Sequence, residues 1–151
     1  MRLEKANDRD LVTLMRWFSS EAEAIAWAGF GFRYPFDAFS FCEDVGLYTR
    51  HSFVYRDNGR LLGFGQVYER QGRGHLARIA IAPDARGHGY GGRLVEALAN
   101  RATELLGCSE HSLFVLRDND AAIQCYRKLG FREAANPDAA GNEIDYLLML
   151  R

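Results

Sequence analysis

The chain has 151 residues, of which 48% are hydrophobic, and a formal net charge of −1 at pH 7. This length suits one domain over residues 1–151 with a real core, and interspersed charges near neutrality argue against nucleic acid as the main partner. No apolar run approaches the 18 or so residues that span a membrane and the N-terminus is too charged for a signal peptide, so we expect a cytoplasmic location and no membrane.

The N-terminal third predicts one strand and three short helices. Residues 2–6 suggest the strand, and Asp8 is predicted to cap a helix with an apolar stripe at Leu11, Leu14, Met15 and Phe18. Ser20 begins a pattern typical of a capping box, with Glu23 at the third helical position, and this helix should end near Gly29 or Gly31. Asp37 is predicted to open a third helix through Asp44.

The rest of the chain alternates strands and helices. Asn58-Gly59 between the apolar runs 52–56 and 61–69 is a strong hairpin signal. Further strands are predicted at 75–81, 111–116, from 131, and at 143–150, with helices at 90–106 and 119–129. These elements predict an α/β fold with a mixed sheet and helices on both faces.

Residues 86–92, Arg-Gly-His-Gly-Tyr-Gly-Gly, join a predicted strand to a predicted helix. Gly87, Gly89, Gly91 and Gly92 carry no Cβ, so the backbone can bring several N–H groups close to one ligand. The helix that follows adds its unpaired N–H groups and the positive end of its dipole. The segment therefore predicts a phosphate or pyrophosphate site, with Arg86 as a cation at its edge. A simple tight turn is the alternative.

The spacing of Gly87, Gly89 and Gly92 also matches the dinucleotide-binding pattern G-x-G-x-x-G. In that fold the glycines follow the first strand directly, and an acidic residue ends the next strand. Here residues 83–86 intervene, and Glu110 precedes the next strand, so this alternative is disfavoured. No Gly-Lys-Ser/Thr follows the glycines, which excludes a P-loop.

Two motifs resemble those of the GNAT superfamily of acyl-CoA-dependent N-acetyltransferases. Arg86-x-x-Gly89-x-Gly91 is similar to the family's Arg/Gln-x-x-Gly-x-Gly/Ala signature. Residues 119–131, Asn-Asp-Ala-Ala-Ile-Gln-Cys-Tyr-Arg-Lys-Leu-Gly-Phe, resemble its Asn-x-x-Ala-x-x-x-Tyr-x-x-x-Gly-Phe segment. Both stand in the family's order, one helix and one strand apart. The resemblance implies a mainly antiparallel sheet with a splayed central strand pair.

In this resemblance the strands at 76–81 and 112–116 diverge, and main-chain groups of Ile79 and Ile81 bind the pantetheine arm of acetyl-CoA between them. Tyr126 would then lie near the sulfur and donate a proton or hydrogen bond as the CoA thiolate forms. Packing of helix on sheet is the alternative role for Tyr126. Asn119 is expected to cap its helix and to contact the cofactor arm.

Transfer to an amine also requires a group that accepts the amine proton. Many GNAT enzymes place a glutamate on the strand before the glycine loop, and an ungapped count puts His75 there. A histidine with its ordinary pKa of about 6.5 accepts a proton near neutrality. An exposed histidine at a loop end is the alternative, and Glu69 or water are the competing proton acceptors.

The amine acceptor should be bound by segments outside both motifs. Residues 27–36 hold five aromatics, and the resemblance implies that this region lies over the acceptor end of the cleft. Trp27, Phe32, Tyr34 and Phe36 are the candidate contacts, with packing in the core as the alternative. The loop 134–142 is the other expected wall, where Asp138, Glu143 and Asp145 would favour a cationic acceptor.

These observations predict an N-acetyltransferase that moves an acetyl group from acetyl-CoA to a primary amine, by direct transfer in a ternary complex. A small-molecule acceptor is preferred. The alternatives are a protein N-terminal or lysine acetyltransferase and a non-catalytic acyl-CoA-binding module. A homodimer is left open. No metal is expected, because Cys42, Cys108 and Cys125 lack the spacing of a zinc site.

Overall fold

The computed structural model describes residues 2–29, 31–137 and 145–151. Its strands are β1 (Arg2–Lys5), β2 (His51–Asp57), β3 (Arg60–Arg70), β4 (Arg73–Ile81), β5 (His111–Leu116), β6 (Arg132–Ala134) and β7 (Tyr146–Leu150). They form one sheet in the order β1-β2-β3-β4-β5-β7-β6. Neighbouring strands are antiparallel except for β4 and β5, which are parallel. The predicted mixed, mainly antiparallel sheet is confirmed.

Helices cover both faces of this sheet. They are α1 (Asp8–Met15), α2 (Glu21–Ala28), α3 (Ala38–Val45), α4 (Tyr90–Leu106) and α5 (Asp120–Lys128), and a 3₁₀ turn spans Pro83–Ala85. One core cluster packs α4 and α5 against one face, and a second packs the α1–α3 region against the other. In the part of the chain described, no helix is both long and apolar enough to cross a bilayer.

The first helix differs from the prediction at its start and at its end. Asn7, not Asp8, caps α1: its side chain accepts a hydrogen bond from the Asp10 N–H, and the Asp10 carboxylate accepts one from the Asn7 N–H. Either residue type can cap a helix, and this reciprocal pair decides the register. The helix ends at Met15, so Phe18 lies outside it and packs on Trp27 from the following segment.

The capping box predicted at Ser20 forms only in part. Ser20 caps α2 as expected, and its hydroxyl oxygen accepts from the Glu23 N–H. The Glu23 carboxylate, however, accepts from the N–H and hydroxyl of Ser19, one residue earlier than a capping box requires. The helix ends at Gly29, whose φ of +89° favours glycine. Asp37 caps α3 as predicted.

Two tight turns fix the central strands. Asn58 and Gly59 have φ angles of +50° and +79° and connect β2 to β3, as the Asn-Gly signal predicts. Gln71 and Gly72 likewise adopt positive φ and connect β3 to β4. This second turn starts β4 at Arg73, two residues before the predicted start at His75.

Glycines in the sheet allow α4 to approach closely. A Cβ on Gly65 of β3 would overlap the side chain of Leu98 on α4, so only glycine fits without movement there. Leu94 makes a similar approach over Gly63. The close contact fixes the N-terminus of α4 relative to the end of β4, where the glycine-rich segment lies.

Candidate active site

The parallel strands β4 and β5 pair over only three positions. Gly74 to Leu76 pair with His111 to Leu113, and no pairing follows toward the C-terminal ends of the strands. A cavity of about 730 Å³ has walls from both strands beyond this point, and includes Ile79 and Ile81 on β4 and Val115 on β5. The splayed strand pair that the resemblance implied is therefore present, and the gap has unpaired strand edges on both sides.

A β-bulge at Arg78 shapes the wall on β4. Gln66 of β3 pairs with Ala77 and Phe64 pairs with Ala80, so Arg78 and Ile79 together face a single residue of β3. Arg78 has a φ of +49°, which is uncommon for a residue other than glycine. The bulge releases residues 78 and 79 from regular pairing beside the cavity.

The Arg78 side chain connects this bulge to the helical layer. Its guanidinium donates to the carbonyls of Val45 at 2.8 Å and Ala28 at 3.3 Å, at or next to the C-terminal ends of α3 and α2. It also donates to the Gln66 side chain. Helix C-termini present unpaired carbonyls with partial negative charge, which a guanidinium satisfies. Arg78 thus holds α2 over the cavity.

The glycine-rich segment forms the turn that leads into α4. Gly87 and Gly89 have φ angles of +80° and +79°, and Gly89 is the N-cap of α4. A Cβ on Gly87, Gly89 or Gly91 would meet nothing within 4 Å, while one on Gly92 would contact Cys125. The first-turn N–H groups of α4 therefore face open space, which is the geometry of an anion site at a helix N-terminus.

Arg86 lies between this segment and the cavity. It is exposed, contributes to the cavity wall, and its Nε donates to the Ile81 carbonyl at 3.2 Å. One of the two β4 carbonyls expected near the cofactor arm therefore already has a protein partner. Glu23 lies close by: Ser19 chiefly lowers the pKa of its carboxyl, and the Arg86 charge adds to this effect. Arg86 and Glu23 thus mark one end of the cavity.

Tyr126 and Asn119 of the second motif also line the cavity. The Asn119 side chain caps α5 by accepting from the Ala122 N–H, as expected. Tyr126 is half-buried on α5, and its ring lies 6.2 Å from that of Phe131. Burial, and secondarily Cys125, raise the pKa of Tyr126 to about 12. The phenol is therefore protonated at neutral pH, and its hydroxyl has no hydrogen-bond partner within the described ranges.

His75 lies inside β4, not at an exposed loop end. It is 1% exposed and lines the cavity, and its Nδ1 is 2.8 Å from the Ser112 hydroxyl oxygen on β5. Burial, together with the charges of Arg70 and Arg50, lowers the pKa of His75 to about 4. The ring is therefore neutral at pH 7. Glu69, the competing base, is exposed on β3 and is not among the described residues of the cavity wall.

Three aromatic rings form a row across the sheet at this end of the cavity. The His75 ring lies 5.1 Å from the Tyr68 ring and 5.0 Å from the Phe114 ring. A guanidinium covers each outer ring: Arg50 is 5.0 Å from Tyr68, and Arg70 is 4.7 Å from Phe114. These are cation–π distances. We refer to Tyr68, His75 and Phe114 as the aromatic row.

Of the four predicted acceptor contacts, Trp27 lies on the cavity wall. Its ring packs within a cluster that includes Phe18, Phe41 and Phe64. Phe32 and Phe36 pack in the same core layer, and Tyr34 is 37% exposed. None of these three is among the described residues that line the cavity, so their contact with an acceptor stays a prediction that this packing does not favour.

The acidic wall expected at 134–142 is mostly outside the described residues. Asp138 and Glu143 both lie there, whereas Asp145 is described and accepts hydrogen bonds from Arg117. Within the residues that the structure does describe, no cluster of three or more His, Cys, Asp or Glu side chains could hold a metal ion.

Several wall residues were not predicted from the sequence. Tyr146 of β7 donates its hydroxyl to the Ala26 carbonyl of α2 at 2.8 Å and so closes the cavity above the sheet. Arg50, Tyr68 and Phe114 also line it. Strand alternation could have placed Tyr68 on the same face as its partner His75, but the roles of Arg50 and Tyr146 depend on tertiary contacts alone.

Comparison with known proteins agrees with this geometry. The model of the acetyltransferase (GNAT) family matches residues 11–131. A UPF0039 protein of Schizosaccharomyces pombe is 28% identical over 96 residues, which cover 62% of each chain. A mycothiol acetyltransferase of Mycolicibacterium vanbaalenii is 36% identical over 89 residues, covering 56% of this chain but only 29% of that protein. The chain therefore spans between about a third and two thirds of these relatives' lengths.

Solved structures show the same fold at low identity. Spermidine N-acetyltransferase from Vibrio cholerae, in complex with CoA and spermine, superposes with a TM-score of 0.74 at 19% identity, over 99% of this chain and 94% of that one. The ribosomal-protein-S18-alanine N-acetyltransferase of Escherichia coli gives a TM-score of 0.66 at 24% identity, over 99% and 91%. With the family match over most of its length, the chain belongs to the acetyltransferase (GNAT) family.

Proposed function

We propose that this protein is an acetyl-CoA-dependent N-acetyltransferase that moves the acetyl group directly to a primary amine in a ternary complex. The proposal depends on one observation: Arg86, Tyr126 and His75 line the same cavity. These residues bring together an anion-binding end, a protonated phenol and a neutral imidazole. The motifs at residues 86–92 and 119–131 supply the first two.

The cofactor would lie along the splayed strands. The N–H groups of the glycine-rich segment and of the N-terminus of α4 suit its pyrophosphate, because a Cβ on Gly87, Gly89 or Gly91 would meet open space. Ile79 is released from regular pairing by the bulge, so its main-chain groups suit the amide groups of the pantetheine arm. Asn119 contributes from the opposite wall. We thus propose that the cofactor contacts residues 79, 81, 86, 87, 89, 91, 92 and 119.

Transfer requires that the amine nitrogen bond to the thioester carbonyl carbon and that the carbon–sulfur bond break. The sulfur leaves with the electron pair as a thiolate, near the Tyr126 hydroxyl. Tyr126 titrates near pH 12, whereas a thiol titrates near 8.5, so complete proton transfer from the phenol is uphill. We therefore assign Tyr126 the role of hydrogen-bond donor to the developing thiolate.

The nitrogen loses a proton after it attacks, and His75 is the proposed acceptor, directly or through a water. We assign the proton of the neutral ring to Nδ1, which donates to the Ser112 hydroxyl oxygen, so that Nε2 is the nitrogen that accepts. Because burial lowers the pKa of His75 to about 4, it is a weak base and cannot efficiently deprotonate a free ammonium ion. The acceptor should therefore react as the neutral amine, with His75 acting on the more acidic nitrogen formed by attack.

A screen of acetyl-CoA with amines, amino acids and peptides tests this proposal by following thiol release and the mass of the product. Efficient transfer to small amines, together with poor transfer to peptides, supports the proposed function. Preferential transfer to peptides supports acetylation of protein N-termini or lysines instead. Binding of CoA with no transfer to any amine leaves a non-catalytic acyl-CoA-binding module.

A further inference from the structure

The two ends of the cavity have different charge. Arg86 and Glu23, the one acid among the described wall residues, lie where β4 ends at Ile81. His75 lies six positions earlier on the same strand, and a strand rises about 3.3 Å per residue, so the two ends are separated by roughly 20 Å. The glycine-rich segment follows the Ile81 end, so the His75 end is left for the acceptor.

Among the described wall residues, the charged side chains at the acceptor end are positive. Arg50 and Arg78 line the wall there, and Glu23, the one described acid on the wall, lies at the other end. The Asp44 carboxylate, which acts electrostatically on Arg78 from outside the wall, is paired with Arg33. Arg78 is committed to the carbonyls of Val45 and Ala28 and to Gln66. A polyamine acceptor would bring several positive charges against these guanidinium groups, so this wall is unfavourable for it.

Arg50 differs from Arg78 in what its guanidinium contacts. It is exposed, lies over the Tyr68 ring at 5.0 Å, and pairs with no acid within residues 2–29, 31–137 and 145–151. Stacking on the ring holds the guanidinium plane and leaves its N–H groups to bind a ligand. Tyr68 is in turn adjacent to His75 in the aromatic row.

We propose that the acceptor amine carries a carboxylate, which the guanidinium of Arg50 binds while the amine lies over His75. A planar guanidinium binds a carboxylate through two parallel hydrogen bonds, which fixes orientation as well as adding affinity. This inference rests on the proposed function and names its substrate class: small amino acids, in contrast to simple alkylamines or polyamines.

The test compares matched acceptors with wild type and Arg50 variants. Linear amino acids with increasing numbers of methylene groups between amine and carboxylate are each paired with the alkylamine of the same length. Aminoalkyl phosphates form a third arm, which distinguishes a carboxylate from a phosphate. Wild type should show a higher kcat/KM for the amino acid at one or two spacer lengths, and a spermidine arm should be poor.

The variants show whether Arg50 causes this preference. Arg50→Ala should raise the KM of the preferred amino acid about 10- to 100-fold, the size expected for a charge-assisted hydrogen bond, and change the KM of the matched alkylamine far less. Arg50→Glu should favour the alkylamine. Arg101→Ala removes a guanidinium that stacks on Phe53 outside the cavity, and should change neither. The KM of acetyl-CoA should stay constant throughout.

The outcomes separate this inference from the proposed function. Transfer to alkylamines or to spermidine as efficient as transfer to amino acids overturns the inference and leaves the function standing. An equal effect of Arg50→Ala on both members of a pair also overturns it, because a structural role would do the same. Preference for the aminoalkyl phosphates would show that Arg50 binds a phosphate and not a carboxylate. If no amine releases thiol, the function fails and the inference with it.

Discussion

The Nδ1 atom of His75 and the hydroxyl oxygen of Ser112 lie 2.8 Å apart, across the three paired positions of β4 and β5. The contact is buried where the two strands begin to separate, at the end of the cavity assigned to the acceptor. It holds the ring that we propose as proton acceptor, and the same burial sets the pKa of that ring.

The first prediction concerns the pH dependence of turnover. A histidine with its ordinary pKa would produce an acidic limb near pH 6.5, but burial lowers the pKa of His75 to about 4. At saturating acceptor, the kcat of wild type should therefore rise with pH through about 4. His75→Ala should lack this rise. The variant should also lose about 100-fold or more of its kcat at neutral pH. Removal of a limb near pH 6.5 would show that the ring is not buried as described.

A second prediction uses protein stability and needs no substrate. The folded chain favours neutral His75, while the unfolded chain binds the proton at an ordinary pKa near 6.5. As pH falls from 6.5 to 4, the wild-type free energy of unfolding should therefore drop by about 3 kcal/mol more than that of His75→Gln. Denaturant unfolding of both proteins across this range measures the difference. Parallel curves would contradict the lowered pKa.

The elements were largely predictable from the sequence because their signals are local. The Asn58-Gly59 turn, the cap at Asp37 and the glycines before α4 each act within a few residues. The bulge at Arg78 could not be predicted, because it depends on the register between β4 and β3. The burial of His75 was missed for a related reason: the turn at Gln71 and Gly72 extends β4 so that this residue lies within the sheet.

The sequence also could not predict which aromatic ring of residues 27–36 faces the cavity. Trp27 lies on the cavity wall, whereas Phe32 packs in the core behind it, only five residues later. Composition indicates an apolar layer at residues 27–36 but does not say which ring faces the cavity. That choice depends on how α2 is held above the sheet by Arg78 and Tyr146.

A third prediction tests the anion site without strain in the backbone. Gly89 has positive φ, so a side chain there would be strained, but Gly91 is helical and a Cβ on it meets open space. Gly91→Glu should keep or raise stability, since an acid in the first helical turn is favourable. It should lower CoA affinity at least about 100-fold by charge repulsion with the pyrophosphate.

Asn100→Glu is the matched control for that variant, because it adds the same side chain at an exposed position farther along α4. Calorimetry should give wild-type CoA affinity for the control. If folded Gly91→Glu also binds CoA like wild type, the glycine-rich segment is not the pyrophosphate site.

A fourth prediction places Tyr126 at the leaving sulfur. Tyr126→Phe keeps the ring that packs on Phe131 and removes only the hydroxyl. Loss of the hydrogen bond to the thiolate should lower kcat by ~10²- to 10³-fold while the affinity for acetyl-CoA changes little. Equal kcat values in the two proteins would assign Tyr126 to packing alone.

The ratio of thiol released to acetylated amine formed shows whether this chain transfers acetyl from acetyl-CoA to an amine. With the best acceptor of the screen, wild type should form one acetylated amine for each thiol, and thiol release should stop when the amine is omitted. Tyr126→Phe should keep the same ratio at a much lower rate. Thiol release without acetylated amine, or no thiol release with any acceptor despite CoA binding, would show that the chain does not transfer acetyl to an amine.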